Sequence, residues 1–383
     1  MKILYLGSIS TSDSDFPLIN ELERQGQDVR YYVPISKQMC CAGTIEIKKV
    51  KNKTSIIPFY EYVEMQPYKD YLNLEKSFFI NQIDFRARDI RTILIWIKLY
   101  FVILLWKPDV LHFSWPQSKF RKLLYFLPFK KVLTVHDPFK HSSNKSKKEE
   151  KDRIYAFNKV DKIVLLNDVQ KNDFCQYYQI ESSKVHVNKM GNFNYFNQIE
   201  PSFLTTSSNF ILYFGYISGY KGLEFLCEAM VKVHETHPNT KLVIAGGGKI
   251  YFDYSKYKQM EYIELYNRYI SIPELSGLLK NCLFSVCPYR DATQSGVVQT
   301  SFSVNVPVIV TNVGALPSVV EHQKTGMVVE KENVDALAEA MNLLLDSQLL
   351  LKTMRLNIQE YWQPKMNWAP IAQQYLNIYK NIN

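Results

Sequence analysis

Short apolar stretches alternate with longer helical patterns from one end of this chain to the other. Apolar runs separated by amphipathic segments predict strands that pair in parallel, with crossover helices between them. At 383 residues, the chain is too long for one ordinary single-core domain. The pattern breaks at residues 201–208, so we expect an α/β protein with two doubly wound, Rossmann-like domains that face a cleft. The predicted strands are KILYLG, DVRYYVP, DVLHFS, KVLTVH and KIVLLN in the first half, and NFILYFG, KLVIAG, CLFSVCP and PVIVTN in the second.

The composition is typical of a globular protein from a reducing compartment. Hydrophobic residues make up 46% and charged residues 22% of the chain, which is enough to build large cores and excludes disordered and fibrous classes. The six cysteines have no paired spacing, so neither a disulfide framework nor a zinc site is predicted. The opening MKILYLGSIS has one lysine and too short an apolar run for a signal peptide. We therefore expect a cytoplasmic location.

All of the net charge of +9 lies in the first half of the chain. Residues 1–200 carry 31 basic and 22 acidic side chains, and the remaining residues are balanced. This asymmetry suggests that one half meets an anionic partner. Nucleic acid is one such partner, but no nucleic-acid motif accompanies the charge, and we expect none to bind. An anionic membrane surface is the other, so the protein is also a candidate for peripheral association with the inner face of a membrane.

Two stretches of the first half have an unusual composition, one strongly apolar and one entirely polar. Residues 90–106, IRTILIWIKLYFVILLW, are strongly apolar but too short to span a bilayer, which needs about 20 residues. They predict either a buried crossover helix or a surface helix that dips into lipid. Residues 140–152, KHSSNKSKKEEKD, hold no apolar side chain and predict a mobile loop.

An anion-binding turn is predicted where the strand NFILYFG ends at Gly215. The following helix is indicated by apolar residues three to four positions apart, and Lys221 and Gly222 lie at its start. Free backbone N–H groups and the helix dipole favour an anion there, and Lys221 would add a full positive charge. The alternative is a lysine that is merely solvated at a helix start.

A second helix start follows the strand CLFSVCP. A polar loop, Tyr289 to Ser295, leads into a helix that is expected to begin near Gly296. Ligands of parallel sheets bind outside the carboxyl ends of the strands, so both loops should open on one edge. Two phosphate-binding helix starts on one edge suggest a diphosphate.

These residues resemble a known family. The segments KGLEFLCEAM, KLVIAGGG, PELSGLLKNC and DATQSGVVQT…VPVIVTNVGALPSVVEHQKTGMVV are similar to the nucleotide-sugar-binding domain of family 4 glycosyltransferases. The segments KPDVLHFSW, VLTVHDP and DKIVLLND resemble the acceptor domain of that family, and YWQPKMNWAPIAQQYLNIYKN resembles its final helix. The resemblance implies a GT-B fold, a nucleotide-diphospho-sugar donor, retention of anomeric configuration and no obligatory metal or cofactor.

The resemblance also assigns roles to domains and residues. It implies an acceptor-binding domain at 1–200, a donor-binding domain at 205–357 and a C-terminal helix at 358–383 that crosses back to the first domain. Carried over by position, His136 lies beside the transferred sugar and Lys221 neutralises the donor diphosphate. The other positions implied for donor binding are Gly215, Tyr216, Gly222, Gln294, Ser295, Gly296, Val297, Thr300 and, at segment level, Arg268 and Tyr269; those for acceptor binding are Gly7 and Ser8.

The chain departs from the family at the sugar-contacting positions. The family usually has two glutamates in this loop and helix; here Thr300 occupies one of these positions, and Ala292 or Thr293 lies at the other. A basic residue often follows the glycine after the first strand of the donor domain, and here that residue is Tyr216. We expect Asp291, as a catalytic-site residue, and Gln294 to make the sugar contacts, because both can hydrogen-bond to hydroxyls. The loop could alternatively have lost catalysis.

The expected activity is transfer of a hexose to a lipid-linked glycan during synthesis of a bacterial polysaccharide such as lipopolysaccharide or capsule. Two alternatives remain open: a GT-B epimerase and a non-catalytic nucleotide-sugar-binding protein. The acidic pair Asp13 and Asp15 matches a metal-binding pattern of another transferase class, but a cap or turn role is preferred. The glycine run Gly246–Gly248 lacks the spacing of a dinucleotide fingerprint.

Overall fold

The structure is a computed structural model that describes residues 1–82, 89–139, 146–205, 209–292 and 296–382. The chain divides into two compact units. The first unit holds Met1–Pro138, Ser146–Gly191 and the C-terminal segment from Trp368, and the second unit holds Asn192–Asn367.

Strands and helices alternate through both units. The strands are β1 (Lys2–Leu6), β2 (Asp28–Ser36), β3 (Cys41–Ala42), β4 (Ile45–Glu46), β5 (Ser55–Pro58), β6 (Ser77–Gln82), β7 (Val110–Phe113), β8 (Lys130–Val135), β9 (Lys162–Leu165), β10 (Val185–Val187), β11 (Phe210–Phe214), β12 (Lys241–Ala245), β13 (Ile263–Tyr266), β14 (Ser285–Cys287), β15 (Val308–Thr311) and β16 (Gly326–Val329). The helices are α1 (Ser12–Arg24), α2 (Ile90–Trp106), α3 (Lys147–Lys159), α4 (Lys171–Tyr178), α5 (Leu223–Thr236), α6 (Ile272–Asn281), α7 (Gly296–Ser303), α8 (Leu316–Val319), α9 (Val334–Asp346), α10 (Gln348–Asn357), α11 (Gln363–Lys365) and α12 (Trp368–Lys380).

The first unit is built on an eight-stranded sheet with the order β10-β9-β8-β7-β1-β2-β6-β5. All neighbouring strands are parallel except the edge pair β5 and β6. At the centre, Tyr5 of β1 lies opposite Tyr31 of β2 on one side and His112 of β7 on the other. The strands are apolar and buried because helices cover both faces of a parallel sheet.

The second unit is built on a parallel six-stranded sheet with the order β13-β12-β11-β14-β15-β16. Its main core lies between this sheet and the helices α5 and α9, and it includes Leu226, Met230, Ile244 and Met341. The two sheets confirm the predicted fold class of two doubly wound, Rossmann-like domains.

The C-terminal helix belongs to the first unit. Helix α12 packs against α1, where the Gln25 side-chain amide donates to the carbonyl of Ala369 at 2.9 Å. The side chains of Tyr375 and Tyr379 from α12 reach the buried His112 of β7. The chain therefore leaves the first unit before α12 and rejoins it at Trp368.

The division between the units lies earlier than the break expected at residues 201–208, part of which is outside the described residues. The chain leaves the first unit after Gly191, against which the indole of Trp368 packs closely. Phe193, Tyr195 and Phe196 are then buried in the second unit, where the Phe193 N–H donates to Ser303 Oγ at 2.6 Å. These aromatic residues have neither strand nor helix periodicity, so the sequence pattern did not assign them to either domain.

Two local expectations need correction. The strand predicted over CLFSVCP is only Ser285–Cys287. The loop predicted at residues 140–152 is wrong from Lys147 onward, where α3 begins; residues 140–145 lie outside the described residues. Ser146 caps α3 by accepting from the Glu149 N–H, and Glu149 and Glu150 suit the positive end of the helix.

Candidate functional site

The carboxyl ends of β11 and β14 form the centre of the candidate site in the second unit. β11 runs between β12 and β14, so the strand order reverses at this point. Connections from the two neighbouring strands then leave on opposite faces of the sheet, which opens a crevice outside their carboxyl ends. Gly215 follows β11 and Pro288 follows β14, so the predicted turn and the predicted polar loop lie at this switch point.

Glycines bring the backbones at this edge unusually close together. Gly215 has a φ of 114°, and a Cβ there would lie 3.5 Å from the Val297 side chain of α7. Gly222 has a φ of 63° and packs against the carbonyl of Pro288. Gly246, at the end of β12, packs against the carbonyl of Gly215. The glycine run Gly246–Gly248, which matched no cofactor fingerprint, therefore serves close packing of three strand ends.

Lys221 lies at the start of α5, as the sequence predicted. The 3₁₀ turn Gly219–Lys221 ends there, and Gly222 is the N-cap residue of α5. The Lys221 ammonium group lies 3.7 Å from the centroid of the Tyr289 ring and 5.0 Å from that of Tyr220. Tyr289 is only 1% exposed, so its ring is a fixed platform for the cation. Gly222 has no side chain, so no side-chain cap is present at the start of α5. The partial positive charge of this helix N-terminus is therefore available to an anion at the site.

Arg290 is a site residue that sequence reasoning missed. Its guanidinium pairs with Glu224 of α5 at 2.6 Å and with Glu332 beyond β16 at 3.0 Å. Its backbone N–H donates to the Tyr220 carbonyl at 2.8 Å. Arg290 thus fixes the turn that carries Lys221 to the end of β14. The sequence signal that could have identified Arg290 was its position directly after a strand end, beside Asp291. Its two acidic partners are remote in sequence, so the ion pairs could not be predicted.

The second predicted helix start is α7, whose first residue is Gly296. Val297 and Gly296 therefore lie at the helix start, next to Gly215. The Thr300 hydroxyl donates to the Gly296 carbonyl at 2.7 Å and so satisfies the first turn of its own helix. Asp291 is half-buried and is the last residue but one before the loop segment 293–295, which lies outside the described residues together with the predicted Gln294 and Ser295.

The remaining donor candidates lie at the neighbouring strand ends. Arg268 follows β13 and contacts Gly247 through its backbone, while its guanidinium binds both carboxylate oxygens of Glu274, at 2.7 and 3.0 Å. This pairing lowers the pKa of Glu274 to about 2. Arg268 also donates to the Tyr269 carbonyl at 2.9 Å, so it orders the β13–α6 connection. Tyr216 directs its side chain to solvent and is 69% exposed.

The acceptor candidates lie at the matching edge of the first unit. Gly7 and Ser8 follow β1 at the point where that strand order also reverses, between β1 and β7. They line a pocket of about 690 Å³ together with Trp115, Gln117, Arg121 and Arg153. The lining holds four basic residues, Lys119, Arg121, Lys148 and Arg153, against the acidic Glu149 and Asp152, so its net charge is positive and suits an acceptor that carries negative charge.

His136 lies directly after β8, and its environment determines its protonation state. Burial lowers the pKa of the imidazole to about 4, against a weaker opposing effect of Asp137. The side chain is therefore neutral at pH 7 and can accept a proton or donate a hydrogen bond.

Asp15 supports the turn at Gly7. Its carboxyl group accepts from Tyr5 at 2.8 Å, from Thr11 at 2.7 Å and from Tyr31 at 3.2 Å, and it packs against Gly7. The side chain is 1% exposed, and burial raises the pKa of Asp15 to about 7. Among the described residues, no group of acidic, histidine and cysteine side chains has the arrangement of a metal site.

This raised pKa leads to a pH prediction for Asp15→Asn. The native state keeps the Asp15 proton up to about pH 7, whereas the unfolded chain releases it near the ordinary aspartate pKa of 3.8. The free energy of unfolding of the wild type, relative to the variant, should therefore fall as the pH rises from 4 to 7, by up to about 4 kcal/mol. Urea denaturation of both proteins at matched pH values measures this difference. A difference that stays flat over this pH range would contradict the assignment.

The chain is similar in sequence to glycosyltransferases. Residues 208–347 match the family described as glycosyl transferases group 1. The matched residues contain the whole sheet of the second unit and helices α5–α9, and therefore the site around Lys221. The uncharacterized glycosyltransferase MJ1178 of Methanocaldococcus jannaschii is 26% identical over 278 residues, which are 71% of this chain and 74% of that protein. MJ1607 of the same organism is 28% identical over 173 residues, so the alignment spans 44% of each protein.

Solved structures match the chain along its full length. Sucrose-phosphate synthase from Thermosynechococcus elongatus has a TM-score of 0.72 and 16% identity, covering 99% of this chain and 98% of that one. Anabaena Alr3699/HepE in complex with UDP-glucose has a TM-score of 0.69 and 12% identity over 99% of both chains. WaaG, a glycosyltransferase involved in lipopolysaccharide biosynthesis, has a TM-score of 0.65 and 12% identity over 100% of both chains. At these identities the likeness establishes the fold, which is that of GT-B glycosyltransferases.

Proposed function

We propose that this protein is a glycosyltransferase that transfers a sugar from a nucleoside-diphosphate donor to a glycan acceptor. The observation that carries the proposal is the Lys221 ammonium group, held over the buried Tyr289 ring at the start of α5. It lies at the switch point of a parallel sheet, within the segment that matches the glycosyltransferase family. A UDP-glucose complex of a protein with the same fold supports a nucleotide sugar as the donor.

The chemistry follows from the charge that develops on the leaving diphosphate. Lys221 and the amides at the starts of α5 and α7 stabilise this charge, and such preorganised donors account for most of the catalysis. The backbone around Gly215, Gly296 and Val297 would hold the phosphates, because glycines follow β11 and begin α7 and leave backbone N–H groups accessible there. A metal ion is not needed for this neutralisation, and no metal or cofactor is part of the proposal.

We assign the sugar contacts to residues that can bind hydroxyl groups. Asp291 and Gln294 take the positions nearest to the usual glutamates, and the neutral His136 hydrogen-bonds to the transferred sugar. The Asp291 carboxylate can stabilise the oxocarbenium character of the anomeric carbon without forming a covalent bond to it. The transfer proposed here moves a hexose with retention of configuration, and Arg268 and Tyr269 flank the nucleoside base.

The acceptor is proposed to be lipid-linked and the reaction to take place at the cytoplasmic face of a membrane. The net charge of residues 1–200 is suited to a carrier with a phosphate or diphosphate group. The pocket at Gly7 and Ser8, with Arg121 and Arg153 in its lining, is where such an acceptor would bind. A role in polysaccharide synthesis, of lipopolysaccharide or capsule, fits a carrier of this kind.

The test is to incubate the protein with a panel of nucleotide sugars and to measure released nucleoside diphosphate, with and without lipid-linked glycans. A transferase releases nucleoside diphosphate in proportion to the glycosylated acceptor. An epimerase would convert the donor without any acceptor. A non-catalytic binding protein would retain the donor unchanged, and either of these two results would contradict the proposal.

A further inference from the structure

Helix α2 exposes an apolar face although it is anchored in the first unit. Its buried side, which includes Ile95, Trp96, Leu99 and Ile103, fixes it to the domain. Its other side carries large apolar residues that are exposed in the complete described chain: Ile90, Leu94, Ile97, Phe101 and Leu105. Leu105 is 82% exposed. Their spacing of three or four residues places all five on one face of the helix.

This face is exceptional on the described surface. Five of the twenty large hydrophobic side chains that are exposed among the described residues lie on α2, more than on any other element. The adjoining 3₁₀ turn Lys119–Phe126, which packs on α2 through Phe120 and Trp96, adds the exposed Leu123 and Phe126. Exposed apolar patches of this kind mark interaction surfaces in proteins.

A basic pocket adjoins one edge of the apolar face. It has a volume of about 590 Å³ and is lined by Lys51, Lys53, Arg91 and Lys98, with Glu61 as the acidic residue in the lining. Leu94 belongs both to this lining and to the apolar face, so the two surfaces are continuous.

Part of the positive charge in this pocket has no ion-pair partner among the described residues. Lys51 pairs with Glu61 at 2.6 Å and Arg91 pairs with Asp89 at 3.2 Å. In the described parts of the chain, Lys53 and Lys98 have no ion-pair partner. The pocket therefore offers cations to an anion beside an apolar surface.

We propose that the apolar face of α2 lies in the headgroup region of an anionic lipid bilayer, with a lipid phosphate in the basic pocket. α2 has 17 residues, and no helix in the described residues is long and apolar enough to cross a membrane. An amphipathic helix with cations along its polar edge is instead suited to lie in the interface plane. The inference deepens the membrane-facing part of the proposed function and rests on it.

Charge favours lipid over a second copy of this chain as the occupant. A symmetric dimer through this face would bring the same surface of both copies together. Lys53, Arg91 and Lys98 of both copies would then be brought to one interface, and an accumulation of like charge there opposes association. An anionic bilayer supplies both an apolar interior and the opposite charge.

Flotation of the full-length protein with lipid vesicles tests the proposal. In the absence of donor and acceptor, the protein should bind vesicles of phosphatidylcholine with 30 mol% phosphatidylglycerol, and bind pure phosphatidylcholine vesicles at least about tenfold more weakly. Binding to the anionic vesicles should fall as the NaCl concentration rises from 50 to 500 mM, because salt screens the basic pocket.

Matched variants separate the two parts of the surface. Phe101→Glu should reduce the partition coefficient at least about tenfold, because it places a charge in the apolar face. Leu349→Glu, at a 76% exposed position on α10, is its control and should bind like the wild type. Lys98→Glu should reduce binding at least about fivefold, the effect of about 1 kcal/mol per basic residue. Lys352→Glu, exposed on α10, makes the same change in net charge as its control.

Two outcomes would overturn the inference. Equal binding to neutral and anionic vesicles, or wild-type binding by Phe101→Glu and Lys98→Glu, would show that this surface does not meet lipid. Light scattering of the same samples without vesicles detects a dimer, and a dimer that Phe101→Glu dissociates would assign the face to a second copy. Nucleoside-diphosphate binding, measured separately, reports on the donor site, so failure of the membrane inference is distinguishable from failure of the transferase proposal.

Discussion

Lys221→Met is expected to lower kcat/KM for the donor by about 10- to 150-fold. Methionine keeps an unbranched side chain against the Tyr289 ring but removes the ammonium group, so packing is largely preserved and the charge is lost. A hydrogen bond to a charged group contributes about 1.5–3 kcal/mol, which gives this range. Because the diphosphate gains charge as it leaves, kcat should fall more than the affinity for the donor. Steady-state release of nucleoside diphosphate measures both parameters.

Two further variants make the Lys221 result specific. Lys221→Arg keeps a cation above the ring and should retain more activity than Lys221→Met. Lys256→Met removes another lysine of the second unit that lies over a tyrosine ring, Tyr257 at 4.8 Å, and that pairs with Glu228. This control should turn over donor like the wild type. Equal activity of Lys221→Met and the wild type would show that Lys221 does not meet the diphosphate.

The fold class could be predicted from the sequence because its signals are local. Each central strand is a short apolar run, and the order of strands and helices restricts the sheets to parallel pairing. Helix α3 was missed because its first turn is entirely polar, and the apolar residues Ala156 and Phe157 that anchor it come only near its end. The cap at Ser146 is a local signal for this helix, but it was outweighed by the run of charges.

The sequence predicted the candidate site only where local pattern determines it. The positions of Lys221, Gly215 and Gly222 could be predicted because a strand end, a glycine and a helix start follow one another in the chain. Arg290 was missed because its partners Glu224 and Glu332 are separated from it by more than 40 residues on either side and meet it only through the sheet order.

Two side chains that were predicted to contact the donor bond to nearby groups of the protein instead. The Thr300 hydroxyl bonds within α7 and the Arg268 guanidinium bonds to Glu274, and neither pairing is visible in the strand and helix pattern. Side-chain direction depends on such tertiary detail, so sequence position alone placed these residues near the site without defining what they contact.

Gly222→Ala is expected to destabilise the second unit by at least about 2 kcal/mol and to abolish measurable binding of the nucleoside diphosphate that the turnover assay identifies. The φ of 63° at Gly222 costs an alanine about 1–2 kcal/mol. In addition, its Cβ would lie 2.0 Å from the carbonyl oxygen of Pro288, which is backbone and cannot rotate away. The turn that carries Lys221 must then move from the end of β14, and the ammonium group leaves its position over Tyr289. Urea denaturation and calorimetric titration with that nucleoside diphosphate measure the two effects.

Two companions to Gly222→Ala identify which constraint acts. Gly222→Asn tests the backbone angle, because asparagine tolerates the left-handed region but still carries a Cβ. If the contact with Pro288 dominates, as we expect, Gly222→Asn is as damaging as Gly222→Ala; a mild effect of asparagine would assign the role to φ alone. Gly219→Ala is the matched control in the same turn, since among the described residues its Cβ would meet nothing closer than the Tyr251 ring at 3.7 Å. Its stability and its affinity for the same nucleoside diphosphate should equal those of the wild type, because the added methyl group displaces no described backbone at the strand ends.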